Sequence, residues 1–137
     1  VSIDKYLGLT YDKRAFNCAH FASMVWQDLT GQDISANLSG FTRPRAERKV
    51  NMAQVRLFAR LEAPVSPCLV LMSRALGEPH AGVYLRGKVL HITEAGVNFD
   101  FLEVASCGFN HVRFYNVPDA NYDREYPRSG RVARDAD

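Results

Sequence analysis

Three residues have the types and spacing for covalent chemistry at a carbonyl: Cys18, His80 and His91. A thiolate is a strong nucleophile, a nearby imidazole can take the thiol proton and return it to a leaving amine, and a third polar group must hold that imidazole in the productive tautomer. Cys18 follows Asn17, a residue suited to cap a helix, and lies in the first turn of a stretch where Phe21, Ala22, Val25 and Leu29 make one apolar stripe ending near Gly31. The unpaired N–H groups of a helix N-terminus favour negative charge, so this position predicts an ionised thiol.

The remaining elements must bring the histidines to that helix. Pro64 and Pro67 introduce the short apolar run Cys68 to Met72, which predicts a buried, central strand. Two strands follow, His80 to Leu85 and Lys88 to Ile92, joined at Arg86-Gly87 as a hairpin. Alternation places His80, Gly82 and Tyr84 on one face and Ala81, Val83 and Leu85 on the other, with His91 on the partner strand. Residues 98–104 suit a strand or a short helix, and Val112 to Val117 closes the sheet.

Upstream, Pro44 to Leu61 reads as a second helix with Ala46, Val50, Ala53 and Leu57 inward; Trp26 and Met52 read as core. Its cations, Arg43, Arg45, Arg48, Lys49, Arg56 and Arg60, face only Glu47 and are most simply a solvated surface. With Phe58 as its one aromatic residue, that stretch lacks the interleaved rings of a nucleic-acid groove, and nucleic acid is disfavoured as a partner.

The chain's 137 residues, 47% hydrophobic and 23% charged with net charge +2, suit one domain over residues 1–117, followed by a polar tail, 118–137. Three cysteines at irregular spacing argue against a disulfide framework or a zinc site. Cys68 and Cys107 read as core filler, His111 as a strand-edge residue, and His20, two positions after Cys18, as no second metal ligand, so neither metal nor cofactor is expected. No stretch is long and apolar enough to span a membrane, and residues 1–6 lack the layout of a secretory signal. The expectation is cytoplasmic synthesis, with later association with a virion or delivery to the periplasm.

Tyr11, the block Phe16-Asn17-Cys18-Ala19-His20-Phe21, the strand His80-Ala81-Gly82-Val83-Tyr84-Leu85 and Val89-Leu90-His91 together resemble the catalytic blocks of the NlpC/P60 cysteine peptidases, over roughly residues 6–97. The resemblance implies an α+β, papain-like fold in which the nucleophile helix packs on an antiparallel sheet. It implies a thiol-dependent amide hydrolase acting through an acyl-enzyme on peptidoglycan stem peptides, in a phage-tail or secretion-system setting. Cys18 would be the nucleophile, His80 the general base and acid, His91 its orienting partner, and Tyr11, Asn17, Ala19 and Gly82 would line the substrate or oxyanion site. Wall-directed members carry Asp before and Ser-Gly after the cysteine to recognise the amino end of the stem peptide; Asn17 and Ala19-His20 stand there instead. The competing expectations are a transferase, deamidase or protein-processing relative, and a non-catalytic tail-assembly or structural module on the same scaffold.

Overall fold

The structure is a computed structural model and describes residues 2–38, 58–75, 77–117 and 132–133. Among these, one 13-residue helix, α1 (Cys18–Thr30), packs on an antiparallel sheet, an α+β arrangement. The strands are β1 (Ala59–Leu61), β2 (Cys68–Ser73), β3 (His80–Leu85), β4 (Lys88–Thr93), β5 (Gly96–Phe101), β6 (His111–Asn116) and β7 (Val132–Ala133), in the order β5-β4-β3-β2-β6-β1-β7. Two four-residue helices, α2 (Ser35–Leu38) and α3 (Leu102–Ala105), follow α1 and β5. No helix among the described residues is long and apolar enough to cross a membrane.

The period of α1 explains its docking. Phe21, Ala22, Val25 and Trp26 recur at helical spacing and are essentially fully buried, joining Leu69, Leu71, Ala81, Val83, Leu90 and Ile92 of the sheet in one core. Burying a Phe or Val side chain of this kind contributes about 1.5–3 kcal/mol. The indole of Trp26 finds its partner in Gln32 Oε1 at 3.0 Å, and Gln32 Nε2 donates to the Val117 carbonyl, tying the helix end to the end of β6. At the other side, the buried Tyr6 hydroxyl donates to Asp28 at 2.7 Å, which Lys5 also approaches at 3.1 Å.

The opposite sheet face carries a smaller core of Val70, Met72, Val89 and Ala105, covered by α3 and Phe109. The strand over residues 68–72 is central and almost wholly buried, as its unbroken apolar run predicts. The hairpin between β3 and β4 turns at Arg86 and Gly87, both with positive φ (50° and 87°), the pair of left-handed residues that matches the strand twist. Residues 98–104 prove to be both alternatives in succession, the end of β5 and then α3.

Two expectations change. The helix expected from Pro44 does not run to Leu61, because Ala59–Leu61 pair with Phe114–Asn116 as a strand. The pairing satisfies backbone groups and buries Ala59 and Leu61 with Phe58, overriding a helical spacing that is only a local preference. The rest of that segment, Met52 included, lies outside the described residues. In the polar tail, Val132–Ala133 pair with Arg60 and Leu61 as an edge strand; the other residues beyond 117 lie outside the described ones.

Candidate active site

Cys18 is the first residue of α1, and its placement begins with the turn before it. Asn17 caps the helix: its side chain accepts from the Ala19 N–H at 2.9 Å and the His20 N–H at 3.2 Å, and donates to the Lys13 carbonyl. His20 completes the capping box, its Nδ1 accepting from the Asn17 N–H at 3.1 Å, a job usually done by Glu or Gln. The Asp12 carboxylate accepts from Arg14 and Ala15 N–H, and a backbone bridge joins Asp12 to Phe16, so the approach to the helix is a tight, closed loop.

The histidines come from the sheet. The β3–β4 ladder pairs Leu85 with Lys88 through Val83 with Leu90. Beyond it, at Gly82, a Cβ would lie 2.6 Å from Val89 Cγ1 and 3.2 Å from His91 Cβ, so β4 passes where any side chain would stand. That close approach brings the rings together: His80 Nε2 and His91 Nδ1 are 2.7 Å apart, and His91 Nε2 lies 3.0 Å from Asp100 Oδ2.

This chain of contacts has a definite polarity. An ionised Asp100 can only accept, so His91 carries its proton on Nε2 and offers a bare Nδ1. His91 Nδ1 therefore accepts from His80 Nε2–H, which leaves the lone pair of His80 on Nδ1, the form a general base requires. Phe109 stacks on the His80 ring, with centroids 6.0 Å apart and planes 13° apart, and fixes its plane. His91 is 5% exposed and cannot tumble. Asp100 is not among the sequence candidates, and its signal was register: counted from the Thr93–Gly96 pair across the β4–β5 turn, Asp100 falls opposite Val89, on the face of His91.

Cys18 and His80 approach from opposite sides of the sheet, since Ala81 and Val83 face α1 while His80 faces Phe109. Near the start of β3 both line one cavity of about 330 Å³, with Tyr11, Arg74, Glu78 and Asp100. The backbone N–H groups of Ala81 and Ala19 act on the sulfur and favour thiolate, but burial outweighs them and pushes the thiol up to about 11. The expectation of an ionised Cys18 is thereby corrected: the helix terminus contributes, and desolvation at 4% exposure wins. Burial, then His91 and Arg74, push His80 down to about 4. Both groups are neutral near pH 7, and among the described residues no hydrogen bond joins the thiol to the ring.

Tyr11 lines the same cavity as Cys18, and burial first, with the acidic groups Cys18, Glu78 and Glu94 after it, raises its phenol above the ordinary value and keeps it a hydrogen-bond donor. Three other candidates take structural places. Asn17 is the helix cap rather than a substrate group, because its oxygen is spent on α1. Ala19 is buried and contributes its backbone N–H at the sulfur, and Gly82 faces β4 rather than the cavity. All three cysteines are free thiols. Cys68 is buried in β2 and raised to about 12 by desolvation, whereas Cys107 is exposed, not core filler, because Gly108 and the turn after α3 carry it outward. His111 opens β6 at the exposed edge of its pairing with Ser73. Among the described residues no cluster of three or more metal-ligating side chains forms.

Comparison of the chain with protein-family models, with curated proteins and with solved structures finds no match in any of the three.

Proposed function

We propose that this chain is a thiol-dependent amide hydrolase of the papain-like NlpC/P60 type, with Cys18 as nucleophile, His80 as general base and acid, and His91 as the group that orients His80. The observation that carries the reading is the 2.7 Å contact between His80 and His91 beside a cavity that Cys18 also lines. Two neutral partners make proton transfer part of the reaction. As Cys18 Sγ attacks the amide carbon, its proton passes to His80 Nδ1, the S–C bond forms and the carbonyl electrons move to oxygen. The Tyr11 hydroxyl and the backbone N–H of Cys18 itself are the donors this reading offers to that oxyanion. Collapse expels the amine with the proton from His80, and water, deprotonated by the same ring, releases the acyl group from sulfur. As His80 becomes cationic, its Nε2–H stays bonded to His91 and the Asp100 carboxylate at the far end of the chain supplies the negative charge that opposes burial.

The substrate class this reading favours is a bacterial peptidoglycan stem peptide. Incubation with purified muropeptides followed by mass spectrometry tests it: the expected result is new cleavage products that vanish in Cys18→Ala. An unchanged profile with a folded, alkylatable protein would count against a wall substrate. One observation supports a second reading, in which the same acyl-enzyme acts on a protein amide or passes the acyl group to another acceptor. The positions flanking the nucleophile, Asn17 and Ala19, are buried in the helix cap and cannot recognise a stem-peptide amine.

A further inference from the structure

We infer that Arg74 is a carboxylate-binding subsite for the leaving half of the substrate, so that the preferred amides carry a carboxylate on the His80 side of the scissile bond. The inference rests on the cysteine-hydrolase reading and names the substrate class for it. Arg74 lines the same cavity as Cys18 and His80, at the exit from β2. Its guanidinium carbon sits 4.2 Å from the centroid of Phe109, the ring that also stacks on His80. Its stem folds against Gly77, where a Cβ would approach Arg74 Cδ to 3.0 Å. The loop carrying Phe109 is pinned to the Arg74 segment by Asn110, whose N–H donates to the Ser73 carbonyl at 2.9 Å and whose Oδ1 accepts from the Ala75 N–H at 3.1 Å.

A surface arginine without a task has about 2 kcal/mol of rotamer freedom to keep, and this one is laid over a ring beside the reacting groups. Among the described residues it makes no ion pair, so its five donors are open to a ligand. Of the three acids lining the cavity, Glu78 is held by Lys13 at 2.9 Å and Asp100 is engaged by His91, and Glu94 makes no ion pair with Arg74 among the described residues. The charges are also laid out by side. Glu78 acts on Cys18 and, with Glu94, on Tyr11, where Lys13 partly offsets them, whereas Arg74 acts on His80. Since His80 hands its proton to the departing nitrogen, a group fixed beside that ring meets the departing half, and a planar guanidinium on that side selects a carboxylate.

Two alkylating reagents that differ only in that group test the inference: iodoacetyl-glycine and iodoacetyl-glycinamide. Each loses iodide as the Cys18 sulfur bonds to the methylene carbon and gives up its proton to His80, and the adduct is read at the Cys18 peptide by mass spectrometry, apart from the exposed Cys107. The measured quantity is the ratio of the two rates, which cancels changes in thiol reactivity common to both reagents, divided by the same ratio for the uncharged thiol 2-mercaptoethanol, which cancels the reagents' own difference. The expected ratio is about fivefold in favour of the carboxylate, the size of one charge-assisted contact at a half-exposed site, falling to about one in Arg74→Gln. A normalised ratio near one in the native protein, or a preference that survives in Arg74→Gln, overturns the subsite. Failure of both reagents at Cys18 would instead overturn the nucleophile reading, and the subsite with it.

Discussion

Replacing Asp100 by Asn separates a relay from a mere cluster of polar side chains. The carboxylate accepts from His91 Nε2–H at 3.0 Å, with 37% of the Asp100 side chain exposed against 7% for His91. A hydrogen bond to a charged group contributes about 1.5–3 kcal/mol when buried, and this exposure reduces it to about 1.4 kcal/mol, a factor of about ten in rate. The loss falls on the step in which His80 becomes cationic, because the amide oxygen of the variant can accept from His91 but brings no negative charge. The assay is the pseudo-first-order rate of iodoacetamide alkylation at Cys18 between pH 6 and pH 8, expected to drop about tenfold in Asp100→Asn with little change in Tm. A double-mutant cycle sharpens it: in a His91→Ala background the same substitution should have almost no further effect, since the path to His80 is already cut. Equal alkylation rates for native and Asp100→Asn protein, or full additivity with His91→Ala, would refute the relay.

Three further outcomes follow from the packing and the titration of the site. His80 is near 4 in the folded chain and near 6.5 when unfolded, so the unfolded chain binds more protons between those values. Stability is therefore expected to fall as pH drops from about 6.5 through 4, by at most about 3 kcal/mol. Urea titrations at both ends of the window should show this slope shrink in His80→Gln, and an equal slope in both proteins would contradict it. Gly82→Ala puts a methyl 2.6 Å from the fully buried Val89 Cγ1 and against His91. It should cost about 1–3 kcal/mol in urea unfolding and slow Cys18 alkylation as His91 is displaced; native-like values for both would mean β4 yields freely. Asn17→Ala removes the acceptor for two N–H groups of α1 and should cost about 1 kcal/mol, while Asn17→Ser should recover most of it, and a neutral Ala variant would contradict the cap.

What could be read in advance divides along one physical line. Cys18, His80 and His91 were legible because each follows from short-range pattern: a cap and an apolar stripe for the cysteine, strict alternation around Arg86-Gly87 for the histidines. The places where pattern fails are those decided by a partner distant in the chain. Leu57, Phe58 and Leu61 keep helical spacing, yet Ala59–Leu61 answer to β6, more than fifty positions on, and Val132–Ala133 become a strand only because β1 offers them an edge. Asp100 depends on the register of β4 against β5, which no single-strand pattern contains. The charge of Cys18 is the sharpest instance. Its helix position argues for a thiolate, and the strand that brings His80 to it also seals it at 4% exposure, so the same packing that assembles the site withholds the ion. On the proposed reading, a thiol kept neutral in this way reacts as His80 takes its proton, which ties reactivity toward small alkylating agents to the relay behind His80 rather than to the helix in front of it.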